Sequence, residues 1–260
     1  METYRKEASA EAIASEAAGL RWLADAGGAA VAELVTVGDT WLETRLMRPG
    51  NPSRDDAAEF GRRLAKTHAA GAGWWGAAPP GADPAAQRLA ELPAPMAAEP
   101  RYRSFGEFLA DARLAPYLRA TDVLDETERR ALARAVDRIA GGAHDSPQPL
   151  LVRRSGQEAA RIHGDLWGGN VVWERVAGGT VGTLIDPAAH GGHAESDLAE
   201  LQVFGSPHLD ATLAAYDEVS PLADGWRERV AAHQLHMLLV HVVLFGRSYA
   251  GQAVDIARKL

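Results

Sequence analysis

The sequence predicts an α+β protein with two unequal parts, a small α/β segment over residues 1–50 and a mainly helical body over residues 51–260. Three observations support this prediction: an alanine-rich helix with two short strands near the N-terminus, a chain break at Pro49–Pro52, and helical periodicity through most of the remaining chain. One β-hairpin interrupts the helical body. A chain of 260 residues suits one large domain or two unequal lobes.

The N-terminal part combines one helix with two strands. The helix is predicted over residues 8–26, because apolar residues recur there at helical spacing and Gly27-Gly28 ends it. The strands are predicted at Glu33–Val37 and Thr40–Met47, joined by a turn at Gly38-Asp39. Together these segments predict a small α/β N-terminal lobe.

The body alternates helical and irregular segments. Ser53 is a candidate N-cap for a helix that ends near Ala70. The proline-rich and glycine-rich stretch over residues 71–100 is predicted to be irregular. Further helices are predicted at residues 104–119 and 125–141, and over residues 195–257 with breaks at Gly205–Pro207 and Asp224-Gly225.

One segment of the body is predicted to be a loop followed by a β-hairpin. The loop covers residues 161–170, and the hairpin strands are Val171–Trp173 and Val181–Ile185. Asp186 follows directly on the second strand. Because the two strands pair, the hairpin brings Asp186 next to Asn170, although the two residues are distant in sequence.

The loop contains the pattern H-x-D-x-x-x-x-N, formed by His163, Asp165 and Asn170. Kinase catalytic loops have this spacing, because the aspartate takes the proton of an acceptor hydroxyl while the asparagine reaches a metal on the triphosphate. Asp186 adds a carboxylate oxygen, and oxygen is the ligand that Mg²⁺ prefers. The pattern therefore predicts Asp165 as the base and Asn170 and Asp186 as magnesium ligands. In the alternative interpretation, Asp165 and Asn170 only cap turns.

Composition narrows the possible classes of protein. The net charge of −8 argues against nucleic-acid binding, and the absence of cysteine excludes disulfides, thiolate zinc sites and a cysteine nucleophile. The most apolar helix-like run, Met237–Phe245, is far shorter than the ~20 residues of a membrane span. We therefore expect a cytoplasmic protein with a small-molecule substrate and with neither a nucleic-acid nor a membrane partner. The sequence indicates no oligomeric state.

Two segments carry a resemblance to a known family. The loop from His163 to Asn170 reads H-G-D-L-W-G-G-N, and Leu184–Ala188 reads L-I-D-P-A. Both resemble the fructosamine kinase (ketosamine-3-kinase) family, which is close to aminoglycoside phosphotransferases and choline kinases. Three further segments resemble patterns of the same family: Glu16–Leu20 resembles E-A-x-G-L, and Gly192–Ala199 resembles G-H-x-E-x-D-L-A. Phe105–Pro116, which reads F-G-E-F-L-A-D-A-R-L-A-P, resembles the family's W-x-x-F…R-L-x-P with phenylalanine in place of tryptophan.

The resemblance implies a two-lobed protein-kinase-like fold that uses ATP and Mg²⁺. It implies that the phosphate acceptor is a sugar hydroxyl on a glycated amine, such as a fructosamine or ribulosamine. It also implies that Lys6 holds the α- and β-phosphates, that Glu16 is its ion-pair partner, and that Met47 belongs to the nucleotide-binding residues. The family's glycine-rich strands would precede Lys6, and the chain begins almost at that lysine. The sequence therefore predicts a shortened N-terminal lobe, which reflects a wrongly assigned start, a trimmed sequence or a protein that has lost ATP affinity.

Five further residues are candidates for supporting roles. His193, Glu195 and Asp197 follow the predicted metal segment and form either a second metal site or, in the interpretation we favour, a helix cap and a brace for the catalytic loop. In that interpretation, Asp197 accepts a hydrogen bond from the loop backbone. Trp167 is either a core aromatic residue or part of the acceptor pocket. His163 is included as a supporting residue of the loop.

Other functions remain open from the residues alone. The acceptor hydroxyl can belong to an aminoglycoside, choline or a methylthio-sugar, because acceptor pockets are poorly encoded in sequence patterns. A catalytically silent binding protein is a second alternative, and a metal-dependent hydrolase is a third and weaker one. His233, His236 and His241 share one predicted helix, but their spacing does not match a zinc-binding helix.

Overall fold

The computed structural model describes residues 1–260. The chain forms two compact units, each made of two separate stretches. The first unit comprises Met1–Pro100 and Gln148–Leu222, and the second comprises Arg101–Pro147 and Ala223–Leu260. The lobe boundary expected near Pro49–Pro52 lies inside the first unit, and the assignment of lobes stays a prediction.

Ten α-helices and ten strands make up most of the regular structure. The helices are α1 (Ala10–Asp25), α2 (Arg54–Ala69), α3 (Phe105–Phe108), α4 (Ala115–Ala120), α5 (Glu126–Ala140), α6 (Leu150–Arg154), α7 (Ala194–Glu200), α8 (Leu209–Val219), α9 (Trp226–Phe245) and α10 (Ala250–Lys259). The strands are β1 (Thr3–Glu7), β2 (Ala30–Val31), β3 (Leu34–Val37), β4 (Trp41–Arg45), β5 (Arg88–Leu89), β6 (Leu92–Pro93), β7 (Ala160–Ile162), β8 (Val171–Val176), β9 (Gly179–Leu184) and β10 (His190–Gly192).

The N-terminal sheet contains the strand that carries Lys6. Its order is β1-β4-β3 with antiparallel pairing throughout, and Lys6 lies opposite Leu42. Helix α1 follows β1 directly and is capped by Ser9, whose hydroxyl accepts the amide of Ala12. Leu20 and the other apolar residues of α1 recur at helical spacing and are buried. The predicted helix and both predicted strands are confirmed to within a few residues.

The predicted hairpin is present, and a third strand joins it. Strands β8 and β9 are antiparallel with Val171 opposite Leu184, and β2 runs parallel to β9. Between β8 and β9, Gly178 has a φ of 93°, a left-handed conformation that glycine adopts without a steric penalty. Asn170 precedes β8 and Asp186 follows β9, so both residues lie at the same end of the hairpin.

Two segments predicted to be irregular contain short strands. Arg161 and Ile162, which the sequence placed in the loop, belong to β7, and this strand pairs antiparallel with β10. The His-Gly-Gly sequence of β10 has no strand pattern. Its backbone instead lies close to a neighbouring loop, where a Cβ on Gly191 would be 2.3 Å from the carbonyl oxygen of Trp74. Residues 71–100 likewise contain the antiparallel pair β5–β6.

Helices α2 and α8 pack closely within the first unit. The hydroxyl of Ser53 accepts the amide of Asp56 while the Asp56 carboxylate accepts the amide of Ser53, which forms a capping box at the predicted start of α2. Gly61 permits the close approach of α8, because a Cβ there would be 2.1 Å from the carbonyl oxygen of Thr212. This packing buries His68, in the last turn of α2. The short helix α6 was not predicted.

The second unit is helical, as predicted, with one interruption. The single helix expected over residues 104–119 is divided by a π-helical turn, Leu109–Leu114, between α3 and α4. The break expected at Asp224-Gly225, just before α9, is confirmed, and so is the break at Gly205–Pro207 between α7 and α8 of the first unit. By length and composition alone, the stretch Trp226–Lys259 is apolar enough to cross a membrane. This is weak evidence for a membrane span, because 44% of its most apolar window is buried and core helices of soluble proteins meet the same criterion.

Candidate active site

Asp165 lies in a loop whose backbone is held by hydrogen bonds. The carboxylate of Asp197, on α7, accepts the amides of His163 at 2.7 Å and Gly164 at 3.0 Å. The amide of Asp165 itself donates to Nδ1 of His163 at 3.3 Å. Gly164 has a φ of 78°, and a Cβ there would be 2.4 Å from the carbonyl oxygen of Ala188, so the turn requires glycine. The brace predicted for Asp197 is therefore present in the structure.

Asp165 and Asn170 are in direct contact. Nδ2 of Asn170 donates to the carbonyl oxygen of Asp165 at 2.8 Å and to its carboxylate oxygen Oδ2 at 3.0 Å. Burial raises the pKa of Asp165 to about 7; the charges of Asp186 and Asp197 act in the same direction, and the Asn170 hydrogen bond opposes it. A carboxylate that titrates near neutral pH is suited to accept a proton from a substrate.

Asp186 lies next to Asn170 at the end of the hairpin. The amide of Ile185 donates to the carbonyl oxygen of Asn170 at 3.1 Å, which extends the β8–β9 pairing by one residue. Oδ1 of Asp186 is 3.0 Å from Nζ of Lys6. The backbone of Asp186 is left-handed, with a φ of 52°, a conformation that Asp and Asn tolerate better than most other residues. The structure therefore brings Lys6, Asn170 and Asp186 together, and their roles stay predictions.

Lys6 contacts two carboxylates. Its Nζ is 2.7 Å from Oε2 of Glu16 on α1, in addition to its contact with Asp186. Burial lowers the pKa of Lys6, but the two carboxylates more than offset this effect, so the pKa lies above its ordinary value. Burial raises the pKa of Glu16 to about 7, and the charge of Lys6 acts in the opposite direction. Lys6 therefore stays a cation at neutral pH.

A cavity of about 250 Å³ opens beside this group of charges. Lys6, Glu16 and Asp186 line one part of the cavity. Met47 lines the cavity as well. The family resemblance grouped Met47 with Lys6 as nucleotide-binding residues, and the two residues line the same cavity. A largely apolar cavity with a few charged groups is the common form of a small-molecule site. The apolar lining residues besides Met47 include Leu20, Ala32, Leu42, Val172 and Ile185.

The side-chain oxygens of Asn170 and Asp186 fit a magnesium ion. Nδ2 of Asn170 is taken by Asp165, which leaves Oδ1 of the same amide as the atom for a cation. The side chain of Asp186 is 43% exposed, so its carboxylate is accessible from the cavity side. Amide and carboxylate oxygens are the ligand types that Mg²⁺ prefers.

His68 and Tyr216 support Asp197 and were not predicted from the sequence. Nε2 of His68 is 3.0 Å from Oδ2 of Asp197, and its Nδ1 is 2.9 Å from the hydroxyl of Tyr216. All three residues are fully buried. Burial raises the pKa of Asp197, but the contact with His68 and the loop amides more than offset this effect and hold the pKa below its ordinary value. The carboxylate is therefore ionised where it braces the loop.

The segment that begins α7 has the geometry of a helix cap. The side chain of His193 accepts the amide of Glu195 at 3.2 Å, which makes His193 the N-cap of α7. Its ring also stacks on Trp75, with 6.4 Å between the centroids. Asp197 is engaged by the loop amides and by His68. These contacts agree with the capping and bracing interpretation, and the alternative of a second metal site stays a prediction.

The aromatic residues of the loop are also in well-defined contacts. Nε2 of His163 is 2.8 Å from the carbonyl oxygen of Ile185, and burial lowers the pKa of His163. The ring of Trp167 lies over the backbone of Gly169, where a Cβ would be 2.1 Å from the indole. It meets the exposed ring of Phe204 edge to face, with 5.8 Å between the centroids. A role for Trp167 in the acceptor pocket stays a prediction.

Replacing Asp197 by alanine is expected to destabilise the fold strongly. The change leaves His68 and two loop amides without their buried acceptor, and breaking a buried pair of this kind costs about 3–5 kcal/mol. Urea unfolding measures the loss. The control is Asp210→Ala, because the ion pair of Asp210 with Arg54 is mostly exposed and should contribute little. Equal unfolding midpoints for the two variants would contradict the bracing role of Asp197.

Comparison with known proteins agrees with the sequence motifs. A family model described as fructosamine kinase matches residues 3–260. A solved structure of a candidate fructosamine-3-kinase from Thermobifida fusca YX-ER1 is 38% identical, with a TM-score of 0.85, and the match covers 98% of this chain and 84% of that chain. The choline kinase LicA of Streptococcus pneumoniae is 13% identical, with a TM-score of 0.62 and coverage of 99% and 86% of the two chains. At that identity the likeness shows the fold alone, and it confirms the protein-kinase-like α+β class.

The first curated relatives match over shorter segments. The ketosamine-3-kinase of Mus musculus is 37% identical over 101 residues, which is 39% of this chain and 31% of the mouse protein. The first curated relatives are matched over about a third of their own length. The family model, in contrast, covers nearly every residue, and the Thermobifida fusca structure matches almost the whole chain. On these grounds, the chain belongs to the fructosamine kinase family.

Proposed function

We propose that the protein is an ATP-dependent kinase that phosphorylates a sugar hydroxyl of a ketosamine, such as a fructosamine or a ribulosamine. The observation that carries the proposal is a chain of contacts that ends at an apolar cavity. Asn170 donates to Asp165 and its carbonyl oxygen accepts the amide of Ile185, the residue before Asp186. Asp186 in turn contacts Lys6, and these last two residues line the cavity. Membership of the fructosamine kinase family supports the class of acceptor. A cytoplasmic location and a small-molecule partner are part of the same proposal.

Asp165 is the proposed base of the reaction. Its carboxylate, with a pKa of about 7, accepts the proton of the acceptor hydroxyl. As this happens, the bond between the hydroxyl oxygen and the γ-phosphorus forms, and the bond between the γ-phosphorus and the leaving oxygen of ADP breaks. Asn170 holds Oδ2 of Asp165 through its Nδ2, which fixes the orientation of the carboxylate toward the acceptor. Positioning of this kind supplies much of the rate enhancement in phosphoryl transfer.

Lys6, Asn170 and Asp186 are the proposed nucleotide-binding residues. Glu16 orients the ammonium group of Lys6 for the α- and β-phosphates. Oδ1 of Asn170 and the carboxylate of Asp186 are the proposed ligands of magnesium, which when bound neutralises charge on the β- and γ-phosphates. The apolar lining of the cavity, which includes Met47, suits the adenine base.

The test is a transfer assay with a matched panel of acceptors. The purified protein is given ATP and MgCl₂ with a fructosamine and a ribulosamine of the same simple amine, an aminoglycoside, and choline. We expect ADP release and a new phosphomonoester signal in ³¹P NMR with the ketosamines only. Transfer to the aminoglycoside alone or to choline alone would contradict the proposed ketosamine acceptor and would identify that compound class as the acceptor.

A second measurement separates an inactive protein from a wrong nucleotide site. We expect ATP with Mg²⁺ to raise the melting temperature, because a ligand that binds only the folded state stabilises it. A rise in melting temperature without transfer to any acceptor would indicate a silent binding protein. No rise at millimolar ATP would contradict the nucleotide site itself.

A further inference from the structure

Helix α7 presents a second buried carboxyl group to the catalytic loop. Glu200 lies three residues after Asp197, so both side chains lie on the same face of the helix. Oε2 of Glu200 accepts the amide of Leu166 at 2.7 Å. Leu166 is the residue that follows Asp165, and its side chain is fully buried. Two carboxyl groups of one helix therefore accept three amides of the loop, on both sides of Asp165.

The contact of Glu200 fixes one particular peptide unit. The peptide between Asp165 and Leu166 has its N–H bound by Glu200, and its carbonyl oxygen accepts Nδ2 of Asn170 at 2.8 Å and the amide of Trp167 at 3.1 Å. The peptide is planar, so bonds on both sides determine its orientation. A rotation of this unit would move the carbonyl oxygen that positions the Asn170 side chain. The same rotation would also redirect the side chain of Asp165.

The environment of Glu200 favours the neutral form of its carboxyl group. The side chain is 2% exposed, and it lies near the ionised Asp197 and near Asp165. Burial raises the pKa of Glu200 well above its ordinary value, and the charges of Asp197 and Asp165 act in the same direction. Its place in the last turn of α7, where the helix dipole disfavours negative charge, favours the protonated form as well. A neutral amide of the same shape should therefore be able to replace the carboxyl group.

We propose that Glu200 is a positioning residue that holds the Asp165–Leu166 peptide through the Leu166 amide and thereby sets both the base and the Asn170 side chain. The inference rests on the proposed kinase function, because it assigns Asp165 and Asn170 their roles. Glu200 itself does not contact the substrate in this arrangement. Its loss displaces Asp165, which lowers the rate of the chemical step, and displaces Asn170, which weakens the binding of ATP with Mg²⁺ to a smaller extent because Lys6 and Asp186 are unchanged.

The test compares Glu200→Gln with Glu200→Leu. The glutamine variant keeps an oxygen that can accept the Leu166 amide, and the leucine variant removes it at similar volume. For Glu200→Leu, we expect kcat with a ketosamine to fall about 10–100-fold, the scale that follows from a misplacement of about 1 Å at a reacting group. The KM for ATP should rise by a smaller factor than kcat falls, because Lys6 and Asp186 still bind the nucleotide. Glu200→Gln should restore kcat to within about threefold of the wild type.

Hydrogen exchange of the loop amides gives a readout that does not depend on activity. We expect faster exchange at Leu166 in Glu200→Leu and wild-type exchange in Glu200→Gln, since an amide without an acceptor is no longer protected. The control pair is Glu218→Gln and Glu218→Leu, because Glu218 is exposed on α8. Both control variants should keep wild-type exchange and wild-type kcat.

The outcomes separate this inference from the proposed function. Wild-type kcat and wild-type Leu166 exchange in Glu200→Leu would overturn the positioning role while leaving the kinase proposal intact. Equal loss of kcat in folded Glu200→Gln and Glu200→Leu would overturn it too, because a neutral acceptor should suffice. A wild-type protein without phosphoryl transfer would instead refute the kinase proposal, and exchange at Leu166 would still report whether Glu200 holds the loop.

Discussion

Asp165→Asn is expected to lower kcat about 10²–10⁴-fold, the contribution that general-base catalysis typically makes. Asparagine has nearly the same shape as aspartate, and its amide can stay next to Asn170, but it has no site that can accept the proton of the acceptor hydroxyl. Lys6, Glu16 and Asp186 are unchanged, so nucleotide binding should remain. Steady-state assays with a ketosamine measure kcat, and calorimetry with ATP and Mg²⁺ measures binding.

Two control variants distinguish loss of the base from a general disturbance of the protein. Asp165→Ala removes the contact with Asn170 as well and should lose at least as much activity as Asp165→Asn. Asp210→Ala changes an exposed aspartate of the same unit and should keep wild-type kcat. A near-normal kcat in Asp165→Asn would show that another group, or water alone, takes the proton. Loss of ATP binding together with turnover would show that the change disturbs the nucleotide site.

The raised pKa of Asp165 also predicts how activity and stability depend on pH. The base must be ionised, so kcat/KM for the ketosamine should fall about tenfold per pH unit below about 7. At pH values between the ordinary pKa of an aspartate and about 7, Asp165 keeps its proton in the folded protein and has lost its proton in the unfolded chain. This contribution to stability is therefore present at low pH and is lost as the pH rises through about 7. Asp165→Asn should melt above the wild type at pH 8, and the difference should shrink as the pH falls toward the ordinary pKa of an aspartate.

The parts of the fold that sequence patterns predicted are those with local signals. The capping box of Ser53 and Asp56 marks the start of α2, and the helical spacing of apolar residues marks α1. The hairpin was predictable because β-branched residues flank a Gly-Gly pair. The β7–β10 pair was not, because two of the three residues of β10 are glycines, and their pairing depends on backbone packing against a distant loop. Helix α6 has only five residues and no side-chain cap.

In the candidate site as well, residues with local sequence signals were predicted and residues in long-range contacts were not. Asp165, Asn170 and Asp186 were found because their roles impose a short spacing and a hairpin. His68 was not found, because its partner Asp197 is 129 residues away and a single histidine in a helix has many possible roles. Glu200 was missed for a similar reason, since Leu166 is 34 residues away in sequence. Patterns within one segment are readable in a sequence, whereas contacts between segments require the packed fold.

Asp186→Asn is the sharpest test of the predicted metal site. Asparagine tolerates the left-handed backbone at this position, φ 52°, so the change should not strain the turn before Pro187. It keeps one oxygen but removes the negative charge that a divalent cation requires. We expect ATP binding in the presence of Mg²⁺ to weaken about 10–100-fold, since a charge-assisted contact contributes about 1.5–3 kcal/mol. We expect kcat to fall by about 10²–10³, the scale for losing one electrostatic contact to the transferring phosphate.

Calorimetry at several Mg²⁺ concentrations distinguishes the metal role from a structural one. If Asp186 holds the ion, the wild type should bind ATP more tightly as Mg²⁺ rises, and Asp186→Asn should lose most of that dependence. Asp186→Ala, which removes both oxygens, should lose all of it. The control is Asp39→Ala, an exposed aspartate in the turn between β3 and β4, which should keep the wild-type dependence. An unchanged Mg²⁺ dependence in Asp186→Asn and Asp186→Ala would contradict the metal site. The short contact with Lys6 would then be the main role of Asp186.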